Sequence, residues 1–399
     1  MFLGHLVIFI AGIFLFLGAF ITFVLCSLLL LECIAALLQF DIKIARQART
    51  STKVTVLVPA HNEELLIEET VKSIIAGLQP QDDIVVIADN CNDNTLNIAK
   101  KMGVGVIERY DSQSKGKGYA LDYGLKYLDS SPPDIVIFID ADTKVEEDAI
   151  EQITQMAIAT GRPVQANYLM AKHPQSTPKD LISAFAFKVK NLVRSKGLNY
   201  FGVPCILAGT GMAFPWKVIK SVDLASGSIV EDMKLGIDLV LAGHEPIICP
   251  KATVFGYLPS EQKTAKSQRT RWEHGHLQTL LTYTPQLLRA SWQQKRPKLL
   301  ISAMDLSIPP LSLLVVIWLA LTPVAFLWGI WGISWLSATV LSAAGLSLLT
   351  AIGIAWAGFA RKDIPFLELL AIPIYILWKI PVYLRFLFQP QKTWERTRR

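Results

Sequence analysis

From Ile308 to Ala360 the chain carries no charged residue, and its only interruptions among apolar side chains are Pro, Gly, Ser and Thr. A run of this length is too apolar for the surface of a water-soluble domain. About 20 helical residues cross the hydrocarbon of a bilayer, so two spans are expected, turning between Gly329 and Ser334. Phe2 to Phe40 is a second such run, with only His5 and Glu32 as acidic or basic side chains. It reads as one long tilted helix or two short ones. It exceeds the apolar stretch of a signal peptide and lacks a basic leader or a small-residue cleavage site, so a retained anchor is expected. The 52% hydrophobic content and mean hydropathy of +0.38 agree with a chain partly dissolved in lipid.

Charge gives the orientation. Lys43, Arg46, Arg49 and Lys53 follow the first run, and Arg361 with Lys362 follows the later block. Basic flanks remain on the cytosolic side, which places the polar region between the runs in the cytosol. The net charge of +6 gathers at these flanks and in the tail from Lys392 to Arg399. Anionic lipid headgroups account for it, and no nucleic acid is required. Cys26, Cys33, Cys91, Cys205 and Cys249 form no CxxC pair, so neither a zinc site nor a disulfide framework is signalled.

From Lys53 onward, short β-branched runs alternate with helical stretches, the pattern of parallel strands joined by crossover helices. Strands are expected at 54–58, 84–88, 104–107 and 135–139, with helices at 65–78, 95–102 and 118–128. The Ile135–Ile139 run is apolar throughout, as suits a strand covered on both faces. Ligands of open α/β sheets bind beyond the carboxyl ends of the strands. Three polar clusters fall there: Pro59-Ala-His-Asn-Glu-Glu64, Asp89 to Thr95, and Asp140-Ala-Asp142. A nucleotide pocket is the economical explanation.

Asp140 and Asp142 suit a hard cation, Mg2+ or Mn2+, that shares oxygen ligands with substrate phosphates. Taken alone, the pair is equally well explained by capping of a following helix. Glu231 and Asp232 open an apparent helix, where capping is again the plain account. The functional one makes Asp232 a general base toward an acceptor hydroxyl. Gln268, Arg271 and Trp272 share one face if their segment is helical. An Arg fork suits diphosphate oxygens and a Trp ring suits a sugar face. Lys117, in Lys115-Gly-Lys117-Gly118, is a candidate phosphate contact or a solvated loop residue. Gly209 and Thr210 lie in a glycine-rich turn that either approaches a ligand or is only structural. His274 and His276 point to different sides of a helix, with packing favoured over metal binding. His244 is expected at a helix end, and His173 in a polar loop.

The ordered set Val58-Pro-Ala-His-Asn-Glu63, Asp89, Asp140-Ala-Asp142, Val230-Glu-Asp232 and Gln268-x-x-Arg271-Trp272, ahead of carboxy-terminal apolar helices, resembles membrane-bound family 2 glycosyltransferases. That group includes cellulose, chitin, hyaluronan and poly-N-acetylglucosamine synthases. The resemblance implies an α/β, GT-A (Rossmann-like) cytosolic catalytic domain with transmembrane helices at both ends. It implies inverting transfer of a hexose or N-acetylhexosamine from a nucleotide sugar, UDP by analogy, to a polysaccharide or lipid-linked acceptor. Donor contacts would be Pro59, Glu63, Asp89, Lys117, Asp140 and Arg271, with Asp142 and Asp140 on the metal. Acceptor contacts would be Gly209, Thr210, Glu231, Gln268 and Trp272, with Asp232 as base. His61 stands where an aromatic is frequent in the family, and Val230 where Thr is familiar.

The expected divisions are an anchor at 1–40, the catalytic domain at 41–272, an interfacial amphipathic segment at 273–305, membrane or interfacial helices at 306–389, and a basic tail at 390–399. About three firm spans are expected, too few for one chain to line a polymer channel, which favours helper subunits, an oligomer or a lipid acceptor. Pro365 to Leu387 is a broken span or an interfacial segment; a cytosolic tail fits the second. The expected location is the inner or plasma membrane. The competing reading is a silent nucleotide-sugar receptor or a transporter component.

Overall fold

The computed structural model describes residues 2–38, 49, 52–171, 177–257 and 262–389. Lys43, Arg46, His173 and the tail from 390 lie outside the described residues.

Eight strands form one sheet: β1 (Val54–Ala60), β2 (Asp83–Asp89), β3 (Gly105–Arg109), β4 (Ile135–Phe138), β5 (Thr143–Val145), β6 (Val164–Met170), β7 (Met212–Pro215) and β8 (Ile247–Gly256). Their order is β3-β2-β1-β4-β7-β6-β8-β5. The first four strands pair in parallel, as the alternating pattern predicts. β7 then enters antiparallel between β4 and β6, so the sheet is mixed rather than wholly parallel.

Successive residues along these strands feed opposite cores, as strand geometry requires. Val54, Val56, Val58, Ile84, Val86, Ile135 and Ile137 enter one cluster; Leu57, Val85, Ile87, Val136 and Phe138 enter the other. The first is covered by α2 (Ile67–Ile75), α3 (Thr95–Lys101) and α5 (Ala149–Thr160). The second is covered by α4 (Lys117–Leu128), which lies between those helices in sequence. With both faces buried, these strands have no need of polar alternation.

After β6 come α6 (Pro178–Lys188), a π-helical turn (Val189–Arg194) and α7 (Ser195–Tyr200); α8 (Trp216–Ile219) follows β7, and α9 (Glu231–Leu241) precedes β8. α10 (Gln262–Gln294) runs unbroken across residues 272 and 273, where a division was expected, and α11 (Pro297–Leu306) follows it. The apolar helices are α1 (Phe2–Leu38), α12 (Leu311–Ile330), α13 (Leu336–Ala355) and α14 (Ile372–Phe388). Phe2–Leu38 is thus one helix, and α12 turns into α13 where Gly332 adopts a φ of +74°.

Among the described residues, four stretches are long and apolar enough to cross a membrane: His5–Leu38, Leu311–Ile330, Leu336–Ala360 and Phe366–Phe388. The last differs from the others in its contacts. Lys379 reaches Glu273, the His274 ring meets the Val382 carbonyl at 3.0 Å, and Tyr383 shares a 2.5 Å hydrogen bond with Ser312. Leu367, Leu370, Ile374, Leu377, Leu384 and Phe388 are exposed on the opposite side at helical spacing. His274 is fully buried by this packing, in accord with the sequence reading.

α1 is joined to the π-helical turn and α11 by a buried ion triad. Arg194 Nε donates to Glu32 of α1 at 2.9 Å, and Nη2 donates to the Asp305 carboxylate at 2.5 Å.

Candidate active site

The polar clusters after β1, β2 and β4 face one another because tight turns redirect the chain at each strand end. Asn62 and Asn90 take left-handed backbone with φ of 55° and 51°, which Asn tolerates better than most residues. Reciprocal bonds between Asn62 and Asn92, at 2.6 and 2.7 Å, join the first two clusters. His61 Nδ1 meets the Asp89 carbonyl at 2.6 Å, so the ring that replaces an aromatic serves to close the same junction.

Two cavities meet at Asp140 and Asp142. The smaller, about 150 Å³, is lined by Pro59, Glu63, Asp89, Lys117 and Arg271. These are five of the six expected donor contacts, and Asp140, at the shared wall, is the sixth. The larger, about 250 Å³, takes in Gly209, Glu231, Asp232, Gln268 and Trp272. The structure therefore brings the five separated motifs to one place, with the paired aspartates between the two chambers.

Asp89 is held by Arg109 at 2.6 Å and by the Asn90 amide at 3.0 Å, both through Oδ1. Oδ2 is left for a ligand donor. Gln268 is buried with its Oε1 unbonded, beside an aromatic cluster in which Trp272 meets Phe187 at 5.7 Å and Phe187 meets Tyr168 at 5.0 Å. An amide oxygen and a ring face beside an open chamber can receive a sugar's hydroxyls and apolar face.

Lys117 lies at the centre. It pairs with Asp140, donates to the Gly209 carbonyl at 2.6 Å and lies 3.7 Å from Glu231. Burial opposes its charge, but Asp140 and Glu231 outweigh that and raise the ammonium above its ordinary value. In this state it neutralises carboxylates; a phosphate contact would have to form from the same position. Burial pushes the Asp140 carboxyl up, with Lys117 opposing and Asp142 reinforcing. Burial likewise pushes Glu231 up to about 7, against Lys117 and with Asp232. Gly209 has a φ of +97°, and a Cβ there would lie 3.3 Å from Asp232 Oδ2. A side chain would be strained and would crowd the proposed base.

Thr210 requires a correction. Expected against the acceptor, it is fully buried, accepts a 3.0 Å bond from the Asp140 amide and lies 3.1 Å from the Thr143 hydroxyl. It holds the end of β4 in place and does not reach the chamber. Residues not anticipated as ligand contacts also line the larger cavity: Tyr168, Phe187, Lys190, Arg194, Tyr375 and Lys379. They come from separate elements and form no local motif, so only their assembly reveals them.

The donor set fits a divalent cation of one kind. Among the described residues no group of three or more His, Cys, Asp or Glu side chains converges. Beside the larger effect of burial, the Asp142 carboxylate repels that of Asp140. A hard cation held by these two carboxylates and completed by substrate oxygens would relieve that repulsion.

Comparisons with known proteins agree with this geometry. The family model described as "Glycosyltransferase like family 2" matches residues 51–275. The chain is 32% identical over 217 residues to 4,4'-diaponeurosporenoate glycosyltransferase of Staphylococcus haemolyticus, covering 50% of this chain and 54% of the relative. It is 25% identical to the probable glycosyltransferase YdaM of Bacillus subtilis (59% and 58% covered) and 26% identical to poly-beta-1,6-N-acetyl-D-glucosamine synthase of Staphylococcus aureus (57% and 55%). The chain thus matches little more than half the length of these relatives. Among solved structures, mannosyltransferase PcManGT from Pyrobaculum calidifontis, in complex with GDP-Man and Mn2+, superposes with a TM-score of 0.55 at 18% identity. That match covers 94% of this chain and 100% of the other, so the fold is that of a GT-A glycosyltransferase with apolar helices.

Proposed function

The chain belongs to glycosyltransferase family 2, and from that premise we propose an inverting membrane glycosyltransferase that acts on a polysaccharide or lipid-linked acceptor at the cytosolic face. The observation that carries this reading is the pair of chambers sharing Asp140 and Asp142, one with the expected donor contacts and the other with Asp232.

In this reading the nucleotide base binds against Asp89 and the diphosphate lies between Arg271 and the paired aspartates. Asp140 and Asp142 would hold a divalent cation, which when bound would supply Lewis acidity to the departing diphosphate. Asp232 takes the proton of an acceptor hydroxyl as that oxygen attacks the anomeric carbon and the sugar–phosphate bond breaks. Gln268 and Trp272 orient the acceptor. The sugar is a hexose or N-acetylhexosamine and the nucleotide UDP, readings supported by the resemblance rather than by any one residue. The placement of Asp232 beside an open chamber counts against a silent receptor.

Three spans, α1, α12 and α13, place both ends of the catalytic region on one side. α14 lies in the interface, since its inner side is occupied by α10 and the start of α12 while its exposed side is apolar.

The test incubates purified full-length protein, in lipid nanodiscs with Mg2+ or Mn2+, with a panel of nucleotide sugars. Metal-dependent release of nucleoside diphosphate, with sugar recovered on a polymer or lipid, is expected. Failure with every donor, or sugar transport without donor consumption, would overturn the reading.

A further inference from the structure

The larger chamber also reaches the apolar helices α1 and α12. There its wall is formed by Leu29 of α1 and by Ile308, Pro309, Pro310 and Leu311 at the start of α12. An apolar wall contributed by membrane helices is a poor lining for a hydrated sugar chain.

Two polar groups line the same chamber. Lys190, on the π-helical turn, makes no hydrogen bond or salt bridge to any described residue, whereas its neighbour Arg194 is neutralised by Glu32 and Asp305. His276, on α10, is only 3% exposed, and its Nε2 has no hydrogen-bond partner among the described residues. A buried polar atom without a partner costs free energy that a ligand can recover. The two groups are close enough to interact electrostatically. Burial pushes the Lys190 ammonium below its ordinary value, with the Asp232 carboxylate only partly compensating. Burial, with the charges of Lys190 and Arg194, also keeps the His276 imidazole well below its usual range. The chamber thus carries an ammonium and an imidazole nitrogen without hydrogen-bond partners among the described residues, in the same lining as the apolar wall and Asp232.

We propose that Lys190 and His276 form a binding site for the anionic group, phosphate or carboxylate, of an amphiphilic acceptor whose tail lies against Leu29 and Ile308–Leu311. The hydroxyl that receives the sugar then projects from this anionic group toward Asp232. This inference rests on the glycosyltransferase reading and selects the lipid-linked acceptor over a neutral polysaccharide.

The test uses full-length protein in nanodiscs and three probes that share one tail: farnesyl phosphate, farnesoate and farnesol. Thermal shift should report stabilisation by the two anions and little by farnesol. Lys190→Gln should weaken anion binding by about ten-fold or more, as loss of a charge-assisted bond implies, with Lys190→Arg retaining most of it. His276→Gln should give a smaller loss in the same direction. In transfer assays the anionic probes should compete with the acceptor, and Lys190→Gln should raise acceptor KM far more than donor KM. Equal binding of farnesol, or an unchanged anion affinity in folded Lys190→Gln, would overturn the proposal. Inorganic phosphate protecting as well as farnesyl phosphate would also overturn it, because the site would then serve a soluble anion. If a neutral oligosaccharide is elongated and no anionic probe competes, the transferase reading stands and this one fails. If no donor is consumed under any condition, the underlying reading fails.

Discussion

Asp232 and Glu231 are adjacent in the first turn of α9, yet they carry different expectations. Asp232→Asn should reduce kcat by about a thousand-fold while nucleotide-sugar affinity stays within error, because the change removes a proton acceptor but little volume. Single-turnover transfer beside equilibrium donor binding measures this, and wild-type turnover would remove Asp232 from the mechanism. Glu231, pushed up to about 7 from an ordinary 4.5, takes up a proton on folding within that window. The folded state then binds more protons than the unfolded one, so stability falls as pH rises from 4.5 to 7. Glu231→Gln should flatten this slope in metal-free protein, as thermal melts across the window would record. The acidic site residues were legible because carboxylates at strand and helix ends stand out in sequence. Thr210 was misplaced because its turn is visible in sequence but the direction of its hydroxyl, toward the Asp140 amide, is not.

At the scale of elements, Arg194 joins α1, the π-helical turn and α11 through buried bonds to Glu32 and Asp305. Removing one member of such a network leaves unpaired buried charge, a cost of about 3 kcal/mol or more. Arg194→Met should therefore lower the unfolding temperature in detergent markedly, and substituting Glu32 by Gln as well should recover part of the loss. An Arg194→Met protein as stable as wild type would show that the triad contributes nothing net. The elements themselves followed from local pattern: β1, β2 and β4 from their apolar runs, α9 and α10 from helical spacing. The antiparallel entry of β7 did not, since Met212–Pro215 is too short a run to carry a direction.

For the whole molecule, the proposed topology, with α1, α12 and α13 crossing and α14 in the interface, predicts that the turn between α12 and α13 lies on the opposite side of the membrane from the polar domain. Cysteines introduced singly at exposed positions, Ser334→Cys and Gln113→Cys, should react differently with a membrane-impermeant maleimide in intact cells. The first should label and the second should be protected until the cells are opened; the reverse would invert the topology. The sequence by itself determined that the chain carries helices long and apolar enough to cross a membrane, that its polar region is a layered α/β domain, and which carboxylates stand at the ends of its strands and helices. Those properties depend on local composition and on residues at element ends. Only the tertiary structure decided that Asp140 and Asp142 stand between two chambers, that α14 lies along α10, and that Lys190 and His276 line one of those chambers. Such juxtapositions arise where distant segments pack, and helical or strand periodicity fixes which way a side chain faces but not what it faces.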